Sequence, residues 1–219
     1  MQILTADDID IDGFAGLRER HYVMDARLFG DHRKMEASAG LAGLVYLADA
    51  HFLRFGSTGR HSHRDIDIVT LVCNGRLLHR GSLGDETLCE AGEVLIQRAG
   101  QQGFEHNESN PDERPNRIIQ MWMLPEQSDG LASHEVLRPG VPGRSLLYQS
   151  ASTRLELAIL QGGEHVSLPG EGLLYLVDGH GQIGEGDLMA SLADQSLVRG
   201  ENLDFVAAAS ARVLLVSAL

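Results

Sequence analysis

The chain has 219 residues, of which 43% are hydrophobic, so it is long enough for one large or two small globular domains with buried cores. Lys and Arg number 18 against 31 Asp and Glu, which gives a formal net charge of −13. An acidic surface without a basic stripe repels phosphate groups, so direct binding to nucleic acid or to anionic membranes is not expected.

The beginning of the chain and its cysteines indicate a cytoplasmic protein. The first twenty residues hold four aspartates and lack the basic and apolar regions of a secretory signal. No stretch reaches the roughly 18 consecutive apolar residues of a membrane helix. Cys73 and Cys89 lie in apolar, strand-like surroundings and form no CxxC pair, which favours buried free thiols in a reducing compartment.

The first half of the chain predicts strands. The 25 glycines include many in turns between short apolar runs, a pattern typical of sandwiches and barrels. Residues 1–35 are expected to form an N-terminal strand and loops. Further strands are predicted at 41–55, 66–72, 94–96 and 118–123. Asn74-Gly75 predicts a hairpin that returns the chain into the segment 76–80.

The second half of the chain, after a polar stretch, shows the same pattern of short predicted strands. Residues 126–144 contain two Pro-Gly pairs and are expected to connect two modules. Short strands are then predicted at 155–160, 173–177, 197–198, 205–208 and 213–216. The segments 71–75 and 91–95 resemble 176–179 and 184–188 in order and spacing, which suggests two related barrels in tandem. The expected domains are therefore 1–125 and 145–219, of which the second holds no His-x-His or His-x-Glu pair.

Two short motifs in the first half carry potential metal ligands. His61-Ser62-His63 and His106-Asn107-Glu108 each place two such side chains at i and i+2. On a strand, side chains two residues apart point to the same face and lie roughly 6–7 Å apart. Two such strands inside a barrel could aim three imidazoles and one carboxylate at one point, a set that suits Fe, Mn, Ni, Cu or Zn.

These motifs and their surroundings resemble the pirin family of bicupins. The similar segments are His61 to Thr70, Asn74-Gly75, Gly92-Glu93, Ala99-Gly100, His106 to Pro111, Gln120 to Trp122 and Leu124-Pro125. The resemblance is specific over residues 54–125, faint over 145–219, and strongest to bacterial pirin-like proteins that include quercetin 2,3-dioxygenases. The sequence departs from the family pattern in having Ser62 in place of a proline and an extra residue near Gln101-Gln102.

The resemblance implies an all-β fold of two tandem cupin, or jelly-roll-like, barrels with the metal in the first. By that analogy His61, His63, His106 and Glu108 bind one divalent transition metal, usually iron, with Ni, Mn, Cu or Zn also compatible. Glu108 would also be the catalytic base. The implied function is that of a dioxygenase that takes a small aromatic, flavonol-like substrate and O₂. The alternative is a non-catalytic, metal-dependent regulatory module that binds a protein partner.

The other candidate residues have simpler interpretations. His79, His134 and His180 lie in polar turns or in the connector, where solvated side chains are expected. His51 and His165 lie near predicted strands without a second ligand nearby in the sequence. Trp122 and Phe104 are expected in the core or along a pocket wall, and Glu105 should face away from the metal because it alternates with His106.

Overall fold

A computed structural model describes residues 1–128 and 130–219, with Asp85 described by its backbone alone. It confirms the all-β class and contains one short helix, α1 (Ala26–Phe29), and two single 3₁₀ turns, Ala6–Asp8 and Gly30–His32. The strands are β1 (Gln2–Leu4), β2 (Asp12–Phe14), β3 (Leu17–Met24), β4 (Leu44–Phe52), β5 (His61–His63), β6 (Asp67–Asn74), β7 (Arg76–Gly81), β8 (Gly84–Glu90), β9 (Val94–Arg98), β10 (Phe104–Ser109), β11 (Arg117–Met123), β12 (Ser133–Leu137), β13 (Gly143–Gln149), β14 (Thr153–Leu160), β15 (His165–Asp178), β16 (His180–Glu185), β17 (Leu188–Ala193), β18 (Ser196–Ala207) and β19 (Ala211–Ala218). Within the described residues, no helix is long and apolar enough to cross a membrane.

The chain divides into two compact units. The first comprises residues 10–39 and 44–140, and the second comprises residues 1–9, 40–43 and 141–219. The stretch 126–144, expected as a connector, contains β12, which pairs with β9. The domain boundaries at residues 125 and 145 therefore stay a prediction, and the expected connector between them contains a strand of the larger sheet.

The first unit is built from two antiparallel sheets around an apolar core. One sheet has the order β5-β10-β7-β8, and the other has the order β12-β9-β6-β11-β4-β3-β2. Both sheets contribute to one buried cluster, which includes Leu77 and Cys89 from the smaller sheet and Val72, Leu95 and Ile118 from the larger one. Over the described residues each strand order is open, so the core is enclosed by two sheets, as in a jelly roll, and not by one closed ring of strands.

The hairpin predicted at Asn74-Gly75 is wrong. β6 pairs with β9 and β11, whereas β7 pairs with β8 and β10 in the other sheet. Gly75 has a φ of 73°, and a Cβ there would lie 2.9 Å from the Cβ of Asn116, so the turn needs a glycine. The turn carries the chain from the larger sheet to the smaller one. β6 is buried along nearly its whole length and takes both its partners from the larger sheet.

The second unit is a single antiparallel sheet with its own core. Its order is β13-β14-β19-β15-β18-β16-β17, with β1 beside β18. The core includes the buried side chains of Leu174, Ile183, Phe205 and Leu215. β18 is one strand of twelve residues where two separate strands were predicted, because β15 pairs with nearly its whole length, while β1 pairs with its first half and β16 with its second half.

Candidate metal centre

Strand pairing places the two ligand motifs side by side. β5 and β10 are antiparallel neighbours, and His61 lies directly opposite His106 in their register. In β10 the side chains alternate, so that His106 is buried while Glu105 is exposed and contacts Arg60. In β5 the two histidines are half-buried and Ser62 is exposed. The period of two residues therefore turns all three imidazoles to the same face of the smaller sheet.

The three imidazoles form a compact cluster. One potential ligand atom from each of His61, His63 and His106 lies within 4.8 Å of the others. The ring centroids are 4.5 Å apart for His61 and His106, 4.8 Å for His61 and His63, and 4.9 Å for His63 and His106. Among the described residues this is the one group of three or more His, Cys, Asp or Glu side chains arranged to hold an ion.

Burial keeps the cluster in the form that binds metals. Burial lowers the pKa of His63 to about 4, with a further contribution from the charge of His61. Burial likewise lowers the pKa of His106 to about 2, and the charges of His61, His63 and His79 add to the effect. Both rings are therefore neutral near pH 7, and a neutral imidazole nitrogen is a good ligand for transition metals.

The hydrogen bonds of the outer ring nitrogens orient the free lone pairs inward. Nδ1 of His61 lies 3.0 Å from the carbonyl oxygen of Gly59, and Nδ1 of His106 lies 2.9 Å from Oε1 of Gln97. Since both oxygens only accept, each Nδ1 carries the proton and each Nε2 presents a lone pair. The two Nε2 atoms are 3.0 Å apart, close enough for one ion to be held by both. The donor set thus fits a divalent transition metal.

Glu108 lies on the same face but outside the histidine cluster. It is 1% exposed, and its carboxylate is not part of the group whose ligand atoms lie within 4.8 Å of one another. Its oxygens accept hydrogen bonds from Nε2 of Gln120 at 2.8 Å and, more weakly, from Nε2 of Gln97 at 3.5 Å. Burial raises its pKa to about 7, although the two amides act in the opposite direction.

Comparison with known proteins places the chain in a family. Residues 25–123 match the Pirin sequence family. A Mycobacterium tuberculosis protein provisionally named quercetin 2,3-dioxygenase is 32% identical over 213 residues, covering 85% of this chain and 84% of that protein. The chain belongs to the pirin family. A Zymomonas mobilis protein with the same provisional name is 41% identical over 70 residues, and the match covers 32% of this chain and only 29% of that protein.

Solved structures share the fold of this pirin. The nickel(II) complex of the bacterial pirin YhhW from Escherichia coli has a TM-score of 0.82 at 23% identity, covering 99% of this chain and 97% of that one. A quercetin 2,3-dioxygenase from Acinetobacter baumannii has a TM-score of 0.72 at 14% identity, covering 100% of this chain and 85% of that one. The bicupin fold expected from the sequence is thereby confirmed.

The prediction for one histidine of this pirin is wrong. His79 was expected in a solvated turn, but it is 1% exposed and lies opposite Glu108 in the pairing of β7 with β10. Its ring centroid is 5.2 Å from that of His106 and 5.6 Å from that of His134. Burial lowers its pKa to about 4, helped by the charge of His134, while the neighbouring amide of Gln97 acts in the opposite direction. The misplacement follows from the wrong hairpin, because pairing with β10 turns His79 into the core.

Two further residues of the site, Gln97 and Gln120, were not predicted from the sequence. Gln97 is fully buried on β9, and Gln120 lies on β11, both in the larger sheet. Each is the one uncharged polar side chain within a strongly apolar strand, and that signal could have marked them. A polar group in such a place needs a partner to offset its burial, and here the partners belong to the candidate site.

Aromatic side chains border the cluster. The ring of Trp122 meets that of His63 edge-on at 5.4 Å, and the Phe104 ring is 5.6 Å from the His63 ring. His63 and Phe104 also line an open depression of about 510 Å³, together with Ser62, Arg64, Ser82 and Gln102. His51, His134, His165 and His180 lie outside the cluster, the last two of them exposed.

Proposed function

We propose that this pirin is a metal-dependent dioxygenase that opens the ring of a flavonol-type substrate, with His61, His63, His106 and Glu108 as the metal ligands. The observation that carries the proposal is the cluster of three inward-facing imidazoles, whose ligand atoms lie within 4.8 Å of one another. The relatives and structural neighbours named quercetin 2,3-dioxygenase support the substrate class. We place this enzyme in the cytoplasm, as its sequence predicts.

The metal is a divalent transition ion. The family resemblance leads us to expect iron. A structural neighbour is a nickel(II) complex, so the identity of the ion has to be measured. When bound, the ion would supply Lewis acidity toward substrate oxygens and a route for electrons between the organic substrate and O₂. In the proposed reaction both atoms of O₂ enter the ring-opened product, and one ring carbon leaves with its oxygen as carbon monoxide.

Glu108 is the proposed proton acceptor. A flavonol has to lose the proton of its ring hydroxyl before ring opening, and a base works best when its pKa is near the working pH. The pKa of Glu108, raised to about 7 by burial, meets that condition. The amides of Gln97 and Gln120 hold the two carboxylate oxygens in place, so that the acceptor does not have to be oriented at the moment of transfer.

The surroundings suit a polyhydroxylated aromatic molecule. Trp122 and Phe104 present apolar ring surface beside His63, which limits the access of water and offers contact to a flat substrate. The open depression next to His63 carries the hydroxyl groups of Ser62 and Ser82 and the amide of Gln102, which match the several hydroxyl groups of a flavonol.

Elemental analysis of protein purified without chelator tests the metal centre. We expect about one transition metal ion per chain in the wild type and none in the double variant His61→Ala/His106→Ala. The matched control is His165→Ala/His180→Ala, which removes two exposed histidines and should leave the metal content unchanged. Wild-type protein that stays free of metal after incubation with Fe²⁺ and with Ni²⁺ would rule out the proposed centre.

The loss of flavonol absorbance under air tests the reaction. Turnover by the metal-loaded wild type, with consumption of O₂ and release of carbon monoxide, is the expected result. A protein that binds one metal but turns over no flavonol would instead favour the non-catalytic regulatory module. In that case its affinity for a protein partner would have to differ between the metal-bound and the metal-free form.

A further inference from the structure

We infer that Gln97 is a positioning residue that fixes, with one amide group, both the tautomer of His106 and the place of Glu108. The inference rests on the proposed metal site, since it concerns two of its ligands. Gln97 is fully buried on β9 and reaches across the core from the larger sheet to the two side chains on β10. It is therefore held by the packing of one sheet while it acts on residues of the other.

The two ends of the amide make different contacts. Oε1 lies 2.9 Å from Nδ1 of His106, and Nε2 lies 3.5 Å from Oε1 of Glu108. The amide nitrogen therefore faces Glu108, and the amide oxygen faces His106. The oxygen in turn only accepts, so the proton of His106 has to sit on Nδ1. The orientation of the Gln97 amide thus determines which nitrogen of His106 is free for a metal.

Gln120 links Glu108 to Trp122 by a second pair of hydrogen bonds. Nε1 of Trp122 donates to Oε1 of Gln120 at 3.0 Å, and Nε2 of Gln120 donates to Oε2 of Glu108 at 2.8 Å. Because the indole nitrogen is only a donor, the Gln120 amide cannot turn round without losing both contacts. Glu108 is thereby approached by an amide donor on each oxygen, which holds the carboxyl group in place.

A carboxylate in place of the Gln97 amide would not do the same work. In Gln97→Glu the new carboxylate could still accept from Nδ1 of His106, but it could not donate to Glu108 and would bring a second acidic group beside it. A methionine would keep the length of the side chain and remove both contacts, and an asparagine would withdraw the amide from both partners. The three substitutions therefore separate the roles of the amide oxygen, the amide nitrogen and the length of the side chain.

Nitrogen NMR of the ¹⁵N-histidine-labelled, metal-free protein at pH 7.5 tests the inference directly. We expect wild-type His106 to show one tautomer with the proton on Nδ1. Gln97→Met and Gln97→Asn should show a mixture or the opposite tautomer, and Gln97→Glu should restore the proton to Nδ1. The control, Gln182→Met, removes an exposed amide of the second unit and should leave the His106 signals unchanged. Folding of each variant is checked by circular dichroism.

Titration with Ni²⁺ gives the second measurement. Loss of an outer partner of a metal-binding histidine costs about 10–100-fold in metal affinity, and we expect this loss for Gln97→Met and Gln97→Asn. An unchanged Nδ1 tautomer in a folded Met or Asn variant would overturn the inference, as would loss of that tautomer in Gln97→Glu. If the wild type bound no Ni²⁺ or Fe²⁺ but the tautomer changed as expected, the proposed function would fail while the control of His106 by Gln97 would stand.

Discussion

The Nε2 atoms of His61 and His106 face each other at 3.0 Å, and both present lone pairs because both Nδ1 atoms donate elsewhere. Two lone pairs at this distance repel, and neither ring can relieve the contact by turning without breaking its outer hydrogen bond. A cation between the rings would convert the repulsion into two bonds.

Metal binding should therefore stabilise the fold. We expect saturating Ni²⁺ to raise the free energy of unfolding of the wild type by about 2.7 kcal/mol when free Ni²⁺ is 100 times its dissociation constant. His61→Ala should lose this increment, and without metal it should be no less stable than the wild type, because it removes one of the two facing lone pairs. Thermal melts with EDTA and with Ni²⁺ measure both effects. An equal Ni²⁺ shift in wild type and variant would contradict the prediction.

The metal-free protein should lose stability as the pH falls below about 6.5. The unfolded state binds protons at His63 and His106 near the ordinary histidine pKa of 6.5, whereas the folded state keeps the pKa values near 4 and 2. The contribution of these two imidazoles is therefore complete above pH 6.5 and falls toward pH 4, by roughly 1.4 kcal/mol per pH unit for each imidazole kept neutral. Buried His79 adds to this slope, whereas Glu108, whose pKa is raised to about 7, opposes it. Urea unfolding at pH 7.5, 6.0 and 5.0 measures the slope. His63→Asn should show a shallower slope, and an unchanged slope would mean that His63 is not kept neutral.

Glu108→Gln should separate metal binding from turnover. The three imidazoles remain, so we expect the variant to keep part of its metal, but an amide cannot take up the proton of a flavonol hydroxyl. Turnover should fall at least 100-fold. Glu86→Gln is the matched control, because Glu86 lies on β8 of the same sheet, faces solvent and pairs with Arg80. Full flavonol turnover by Glu108→Gln, or an equal loss in the control, would refute the role of Glu108 as base.

The sequence predicted the parts of the site that depend on local spacing. His61 and His63 lie at i and i+2 on a strand and share a face because the strand period is two, and the same rule joins His106 to Glu108. The rule does not say which pair meets which. The register sets His61 opposite His106, and sets Glu108 one row further along, opposite His79. For that reason the imidazoles cluster while the carboxylate stands apart.

What could not be predicted depends on long-range pairing. The turn at Gly75 has the left-handed backbone that a hairpin would need, yet β6 and β7 belong to different sheets. Local residues set the turn, but the choice of partner strands depends on how much of each strand has to be buried. The burial of His79 and the contacts of Gln97 both follow from that choice, so neither could be predicted once the strand partners were wrong.

Gly81 should be essential for the position of His106. It lies opposite His106 in the pairing of β7 with β10, and a Cβ there would be 2.3 Å from the carbonyl oxygen of Glu105 and 2.9 Å from the Cβ of His106. Backbone has to move to admit it, so we expect Gly81→Ala to destabilise the fold by about 1–3 kcal/mol. The displaced β10 should also bind Ni²⁺ at least 10-fold more weakly, because the imidazole no longer meets its partners. Gly140→Ala, at a position where the nearest atom to a Cβ is 3.9 Å away, is the control for both measurements. If Gly81→Ala unfolded in urea at the wild-type midpoint and bound Ni²⁺ with wild-type affinity, the close approach of β7 to β10 would have no part in holding the site.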